Sequence, residues 1–247
     1  MNETMQTIYK LRSERQFTDK AIEQEDLEAV LDAAVRTANS SSRQAYSIVV
    51  LTEKEKIKAA CGYTGAALLV FCVDQNRLID IADYMHQDYN RSTTIDFITG
   101  GTDAVLAAQT AVIAATSLGI DSLITNGVHR QDFSVLYELL KLPKEYCFPM
   151  IGVLLGYSAH PEEKHYKGRL KKGVIHYGEY SHMTQEEIEE EMAKFDSKEM
   201  KHGLTYYTQW EAMGFQHYYE WFYQVWNGKQ KDIFYPVLKK TKFFETR

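Results

Sequence analysis

The sequence predicts an α+β fold, and three observations carry that reading. Short apolar runs rich in Val, Ile, Leu and Phe recur along the chain and read as buried strands. Segments with helical spacing alternate with them. One of those segments, residues 103–118, is apolar almost all round, so it should form a buried central helix for the strands to pack on.

Taken in order, residues 3–12 form the first predicted helix, with Met5, Ile8 and Leu11 at helical spacing. Residues 24–38 form the second, striped by Leu27, Val30, Leu31, Ala34, Val35 and Ala38. Strands are predicted at 46–51 and 66–73. The central helix reads DAVLAAQTAVIAATSL and stops at Gly119, a favourable C-terminal residue. Ser122-Leu123-Ile124 leads into an Asn126-Gly127 turn, residues 135–142 are helical up to Pro143, and 149–156 form a buried strand. Thr184-Gln185-Glu186-Glu187 fits a capping box opening a helix with Ile188, Met192 and Phe195 on one face. These readings place a mixed domain at 1–183 and a helical, aromatic-rich extension at 184–247. Beyond Leu204 aromatic residues are so dense that the tail must pack on something. Its own domain, a second subunit and a ligand all remain open.

The composition is that of an ordinary globular protein: 247 residues, 45% hydrophobic and 25% charged. A net charge of −6 argues against nucleic acid as a partner, because duplex binding rests on a positive surface. No run approaches the roughly 18 apolar residues of a membrane span, and the polar start Met1-Asn2-Glu3-Thr4 predicts no secretory signal. Cys61, Cys72 and Cys147, an odd and widely spaced set, suit a reducing compartment, and the expected location is cytoplasmic. They read as small core residues rather than nucleophiles. His160, His165, His176 and His182 lack ligand spacing and read as loop histidines, so no metal site is expected. Nucleotide-binding glycine loops, zinc-protease signatures and nucleophile elbows are all missing.

A scattered polar set remains. Arg12, Ser13 and Arg15 close the first predicted helix, with the two arginines three apart and so on one face. Alone, they could be cations favouring a helix C-terminus. The 39–44 segment, Asn-Ser-Ser-Ser-Arg-Gln, is either a solvated loop or a bed of ligand donors, and Lys167-Gly168-Arg169 alone is a basic turn.

Their order along the chain is more specific. R-S-x-R-x-F, then S-x-R-Q before a Val-rich strand, S-L-G closing an Ala-rich helix, T-N-G, L-L-G-Y and K-G-R form a series over about residues 5–180. This series resembles the nitroreductase family of FMN-dependent oxidoreductases. The resemblance implies a sandwich of helices around a mainly antiparallel sheet, in a domain-swapped homodimer with a parallel C-terminal strand added across it. It implies FMN at the dimer interface, NADH or NADPH as co-substrate and no catalytic side chain. The acceptor would be a small molecule, nitroaromatic, quinone or similar, reduced in ping-pong fashion. Other readings are a flavin reductase, a dehalogenase-like or enoate-reducing member, or a flavin-binding protein without turnover.

By the same resemblance, Arg12, Ser13 and Arg15 contact the phosphate, ribityl chain and pyrimidine edge of the flavin. Ser42 and Gln44 lie beside the ring bound by the other subunit. Thr125, Asn126 and Gly127 form the stretch whose backbone N–H faces N5, and Lys167 and Arg169 close on the phosphate. Departures from the pattern are Leu11 for a basic residue, Ser42 for Asn and Ala45-Tyr46 for Pro-Trp. The aromatic extension would wrap the second subunit or roof the pocket.

Overall fold

Alternation along one strand sets the layering. In a computed structural model that describes residues 1–89, 93–130, 132–162, 171–197, 207–227 and 233–244, the chain forms β1 (Tyr46–Leu51), β2 (Ala67–Asp74), β3 (Asp121–Thr125) and β4 (Cys147–Gly156). The sheet order is β1-β2-β4-β3, with every pairing antiparallel. Strand residues alternate between faces. Thus Ala67, Leu69 and Phe71 of β2 join Val153 and Leu155 of β4 in one cluster, while Leu68, Val70, Cys72 and Leu154 join another. The first face is covered by α2 (Gln24–Val35) and α5 (Thr93–Ser117), the second by α3 (Lys54–Cys61) and α6 (Phe133–Leu140). Two further helices lie at Glu3–Lys10 (α1) and Asn76–Tyr84 (α4). This is the α+β sandwich the sequence predicts.

Ala104, Ala107, Ala108, Ala111 and Ala115 are the buried side of α5, and their small side chains let the helix lie close on the sheet. Gly119 ends it with φ +75°, and the Ile120 N–H returns to the Ala115 carbonyl at 2.9 Å. Two expectations about this helix need correction. It begins at Thr93, because Gly100-Gly101, poor helix formers, hide its first turns. It is also not buried on every side within one chain: Ile95, Ile98, Val105 and Leu106 are exposed, Ile98 by 61%. By length and composition α5 could cross a bilayer, contrary to expectation, but its packing against α2 and the sheet makes it the core helix.

The three cysteines are free and buried, and the thiol of Cys147, hydrogen-bonded to Cys72, is pushed far above its ordinary pKa. All three are core residues, and burial also raises the Cys61 thiol above its ordinary pKa.

The chain divides into two compact units, residues 1–161 with 233–247, and residues 162–232. In the first, the last segment carries α10 (Tyr235–Lys240), numbered after α7 (Gln185–Asp196), α8 (Tyr207–Ala212) and α9 (Tyr218–Trp221) of the second. Phe243 is fully buried with Val73, Phe133 and Phe148, and Phe97 meets it edge-on at 5.3 Å. The second unit has a cluster of its own, Trp210 and Trp221 against Phe195, Phe215, Tyr218 and Phe222. Its helix α7 opens with the capping box expected at Thr184 and Glu187. Part of the aromatic tail is thus buried within the chain, while Tyr223, Tyr235 and Phe244 are exposed.

Candidate functional site

The opening motif is not helical. α1 ends at Lys10, and Leu11 leaves it with extended ψ, which corrects the expectation that Arg12 and Arg15 share a helical face. Ser13 instead forms a parallel bridge with Ser122 of β3, and the Glu14 N–H donates to the Ser122 carbonyl at 2.9 Å. Extended backbone has a period of two, so Arg12 and Glu14 share one side and Ser13 and Arg15 the other.

The first pair is spent on the protein. The Arg12 guanidinium, largely buried, lies 3.0 Å from Asp121 and 3.3 Å from Glu14. Glu14 also accepts from the N–H groups of Arg15 (2.8 Å) and Gln16 (2.9 Å) and from the Ser158 hydroxyl (2.7 Å). Burial alone would raise its pKa; these donors and the Arg12 charge together hold it below the ordinary carboxylate value. Asp121 accepts the Ser158 N–H at 3.0 Å, closing a network that ties the motif to β3 and to the end of β4. Ser13 is exposed, and the half-exposed Arg15 guanidinium has one long contact, 3.4 Å to the Ser13 carbonyl. Sequence reasoning missed Glu14, Asp121 and Ser158. Their only signal is position, one inside R-S-x-R, one opening β3 and one following L-L-G-Y.

β3 delivers the T-N-G turn to the same edge. Thr125 is buried and its hydroxyl accepts the Gly127 N–H at 2.9 Å. A Cβ on Gly127 would lie 2.4 Å from the Cys61 carbonyl oxygen, so close approach to the end of α3 requires glycine there. Asn126 is the exposed member of the three.

The 39–44 loop is held elsewhere. Ser41, Ser42 and Gln44 all have left-handed φ, +54°, +55° and +49°. Such a conformation costs non-glycine residues roughly 1–2 kcal/mol each. Asp103, buried on α5, accepts the Ser40 N–H at 2.9 Å, and Asn39 accepts the Gln44 N–H at 3.3 Å. The loop enters β1 at Tyr46, which pairs with Val73 and through it with Phe148, whereas Ser122 pairs with Leu155. These are diagonal corners of the sheet, on the order of 25 Å apart from standard strand spacing and rise. One chain thus brings residues 12–15 together with β3 and its turn, but not with Ser42 and Gln44. Lys167 and Arg169 lie outside the described residues.

The donor chemistry at the β3 edge suits a flavin carrying one phosphate. Arg15 offers a planar cation that has no ion pair among the described residues, and Ser13 and Asn126 offer exposed polar side chains. Among the described residues no cluster of three His, Cys, Asp or Glu could hold a metal.

Comparison with known proteins agrees. Residues 8–101 match the model of the Nitroreductase family. An FMN reductase [NAD(P)H] of Bacillus subtilis is 30% identical over 210 residues, covering 80% of this chain and 82% of the relative. An oxygen-insensitive NADPH nitroreductase of Salmonella typhimurium is 30% identical over 214 residues, covering 83% and 84%. Among solved structures, NfrA2 of B. megaterium superposes over 100% of both chains with a TM-score of 0.81 at 27% identity.

Proposed function

The chain belongs to the nitroreductase family and is an NAD(P)H-dependent FMN oxidoreductase, and on that premise we propose how its residues form the flavin site. Ser13, Arg15 and Asn126 of one chain hold the flavin together with Ser42 and Gln44 of the partner subunit in a homodimer. Bound there, FMN would supply the redox chemistry between NADH or NADPH and a small acceptor, a nitroaromatic or a quinone, in ping-pong order.

The residues have separate tasks. Arg15 supplies positive charge and a planar donor fork to the phosphate or the pyrimidine edge. Arg12, neutralised by Asp121 and Glu14, aims the motif rather than touching the cofactor. Glu14 stays ionised at neutral pH and fixes the Arg15 backbone through its N–H. Thr125 holds the turn by accepting the Gly127 N–H and so presents Asn126 outward. By the sequence resemblance, Lys167 and Arg169 add cations at the phosphate. No side chain needs to act as acid or base.

The observation that carries this reading is the Ser13–Ser122 bridge, which brings the R-S-x-R motif beside the strand ending in T-N-G. The test is the purified protein itself. It should release FMN rather than FAD on denaturation, bleach anaerobically with NADPH or NADH, and recolour when a quinone or nitroaromatic is added. FAD in the extract, or no bleaching by either nicotinamide, contradicts the proposal; turnover with free flavin alone would make the protein a flavin reductase.

A further inference from the structure

We propose that Arg77 is a positioning residue for flavin binding: it locks the 39–44 loop in the one backbone shape that presents Ser42 and Gln44 to the cofactor. This rests on the reading of that loop as a flavin contact given above.

Arg77 lies in the first turn of α4, directly after β2. The start of that helix is itself fixed. The Asp74 N–H donates to the Ala45 carbonyl at 3.1 Å, and the Asp74 carboxylate accepts the Asn76 N–H at 3.0 Å and the Asn76 side-chain amide at 2.9 Å. From this base one Arg77 terminal nitrogen, Nη2, donates to the carbonyls of both Arg43 and Gln44, each at 2.6 Å. The Gln44 carbonyl also accepts the Tyr46 N–H at 2.8 Å, so the loop's exit into β1 is pinned from two sides.

What is pinned is strained. Three of the four residues 41–44 hold left-handed φ without being glycine. Such backbone persists only where its surroundings over-determine it. Asp103 and Asn39 restrain the front of the loop through the Ser40 and Gln44 N–H groups. At its back, a single cation gathers two carbonyls whose dipoles would otherwise repel.

Arg77 is also exposed. Its removal opens no cavity in the core. A residue that mattered only for folding would be expected deeper. The proposal therefore predicts a split: binding should suffer while global stability does not.

The experiment uses the full chain as Arg77→Ala, Arg77→Lys and Gln44→Ala, with three readouts. These are the FMN dissociation constant, the amide hydrogen exchange of residues 40–45 in flavin-free protein, and the flavin-free melting temperature. Arg77→Ala should weaken FMN by about tenfold or more, since a loop that keeps its binding shape only about a tenth of the time lowers the apparent affinity by that factor, and speed exchange across the loop while melting is unchanged. Arg77→Lys should recover much of both effects, since an ammonium at that point can still meet a carbonyl. If Gln44→Ala weakens FMN but Arg77→Ala binds like the wild type, the proposal is overturned and the reading of the loop survives. If Gln44→Ala binds FMN like the wild type, the reading of the loop fails, and faster exchange in Arg77→Ala then leaves Arg77 a structural residue only. A melting loss in Arg77→Ala that Arg77→Lys does not repair also overturns the proposal.

Discussion

Arg12 and Arg15 carry the same charge three positions apart, yet extended backbone turns them to opposite sides and gives them different work. Arg12→Ala should leave Asp121 and Glu14 facing each other without their cation, at a cost of about 2–4 kcal/mol. Arg15→Ala should leave melting nearly unchanged and weaken FMN by about tenfold to a hundredfold. Thermal unfolding and flavin titration on both variants check this; the same pattern in both would refute the division of labour. A second residue-scale prediction concerns pH. His129 is buried against Phe133 and Phe148, its Nε2 is 2.8 Å from the Pro149 carbonyl, and burial lowers its pKa from the ordinary 6.5. The folded state thus resists a proton that the unfolded state accepts, so stability should fall as pH drops below about 6.5. Glu14, lowered from 4.5, adds a second loss as pH falls further, through its folded pKa. His129→Gln keeps a donor toward Pro149 without the titration and should flatten the first step in denaturant midpoints measured between about pH 7.5 and 5.5. An unchanged slope would show that His129 does not carry it.

Among the elements, α5 ties the core to the site. It passes β1 and β2 so closely that a Cβ on Gly100 would lie 2.7 Å from the Ala45 carbonyl and 2.9 Å from Val73. Elsewhere in a helix, Gly→Ala gains stability. Here Gly100→Ala should lose about 1–3 kcal/mol, since backbone cannot yield as a side chain can. A melting temperature at or above the wild type would mean the contact relaxes freely. The same helix shows what the sequence made legible. Its Ala stripe and Gly119 stop could be read directly, because burial and capping are local patterns, as could β1 and the Thr184 capping box. Its first ten residues could not, because glycine lowers propensity whatever the tertiary reason for it. R-S-x-R was legible as a motif but misread as helix, since the Ser13–Ser122 bridge that holds it extended lies over a hundred residues away. Arg77 carried no signal at all: its partners are backbone carbonyls, which no sequence pattern marks.

At the scale of the molecule, the sheet sets the problem that dimerisation would solve. The β3 edge carries Ser13, Arg15 and Asn126, while Ser42 and Gln44 precede β1 at the opposite edge of the sheet, with Ser13 and Tyr46 at diagonal corners. α5 meanwhile exposes Ile95, Ile98, Val105 and Leu106, apolar surface of the kind that obligate interfaces bury. The proposed homodimer would complete two flavin sites, each with a β3 edge from one subunit and a 39–44 loop from the other. Mixed dimers test this directly. Arg15→Ala and Gln44→Ala chains, each binding FMN weakly as a homodimer, are unfolded together, refolded, and separated by distinct tags. If the sites are shared, the mixed dimer holds one intact site and one doubly altered site, and it should bind one FMN with wild-type affinity. If each site belongs to one chain, both remain singly altered, and a mixed dimer with no tight site would contradict the account.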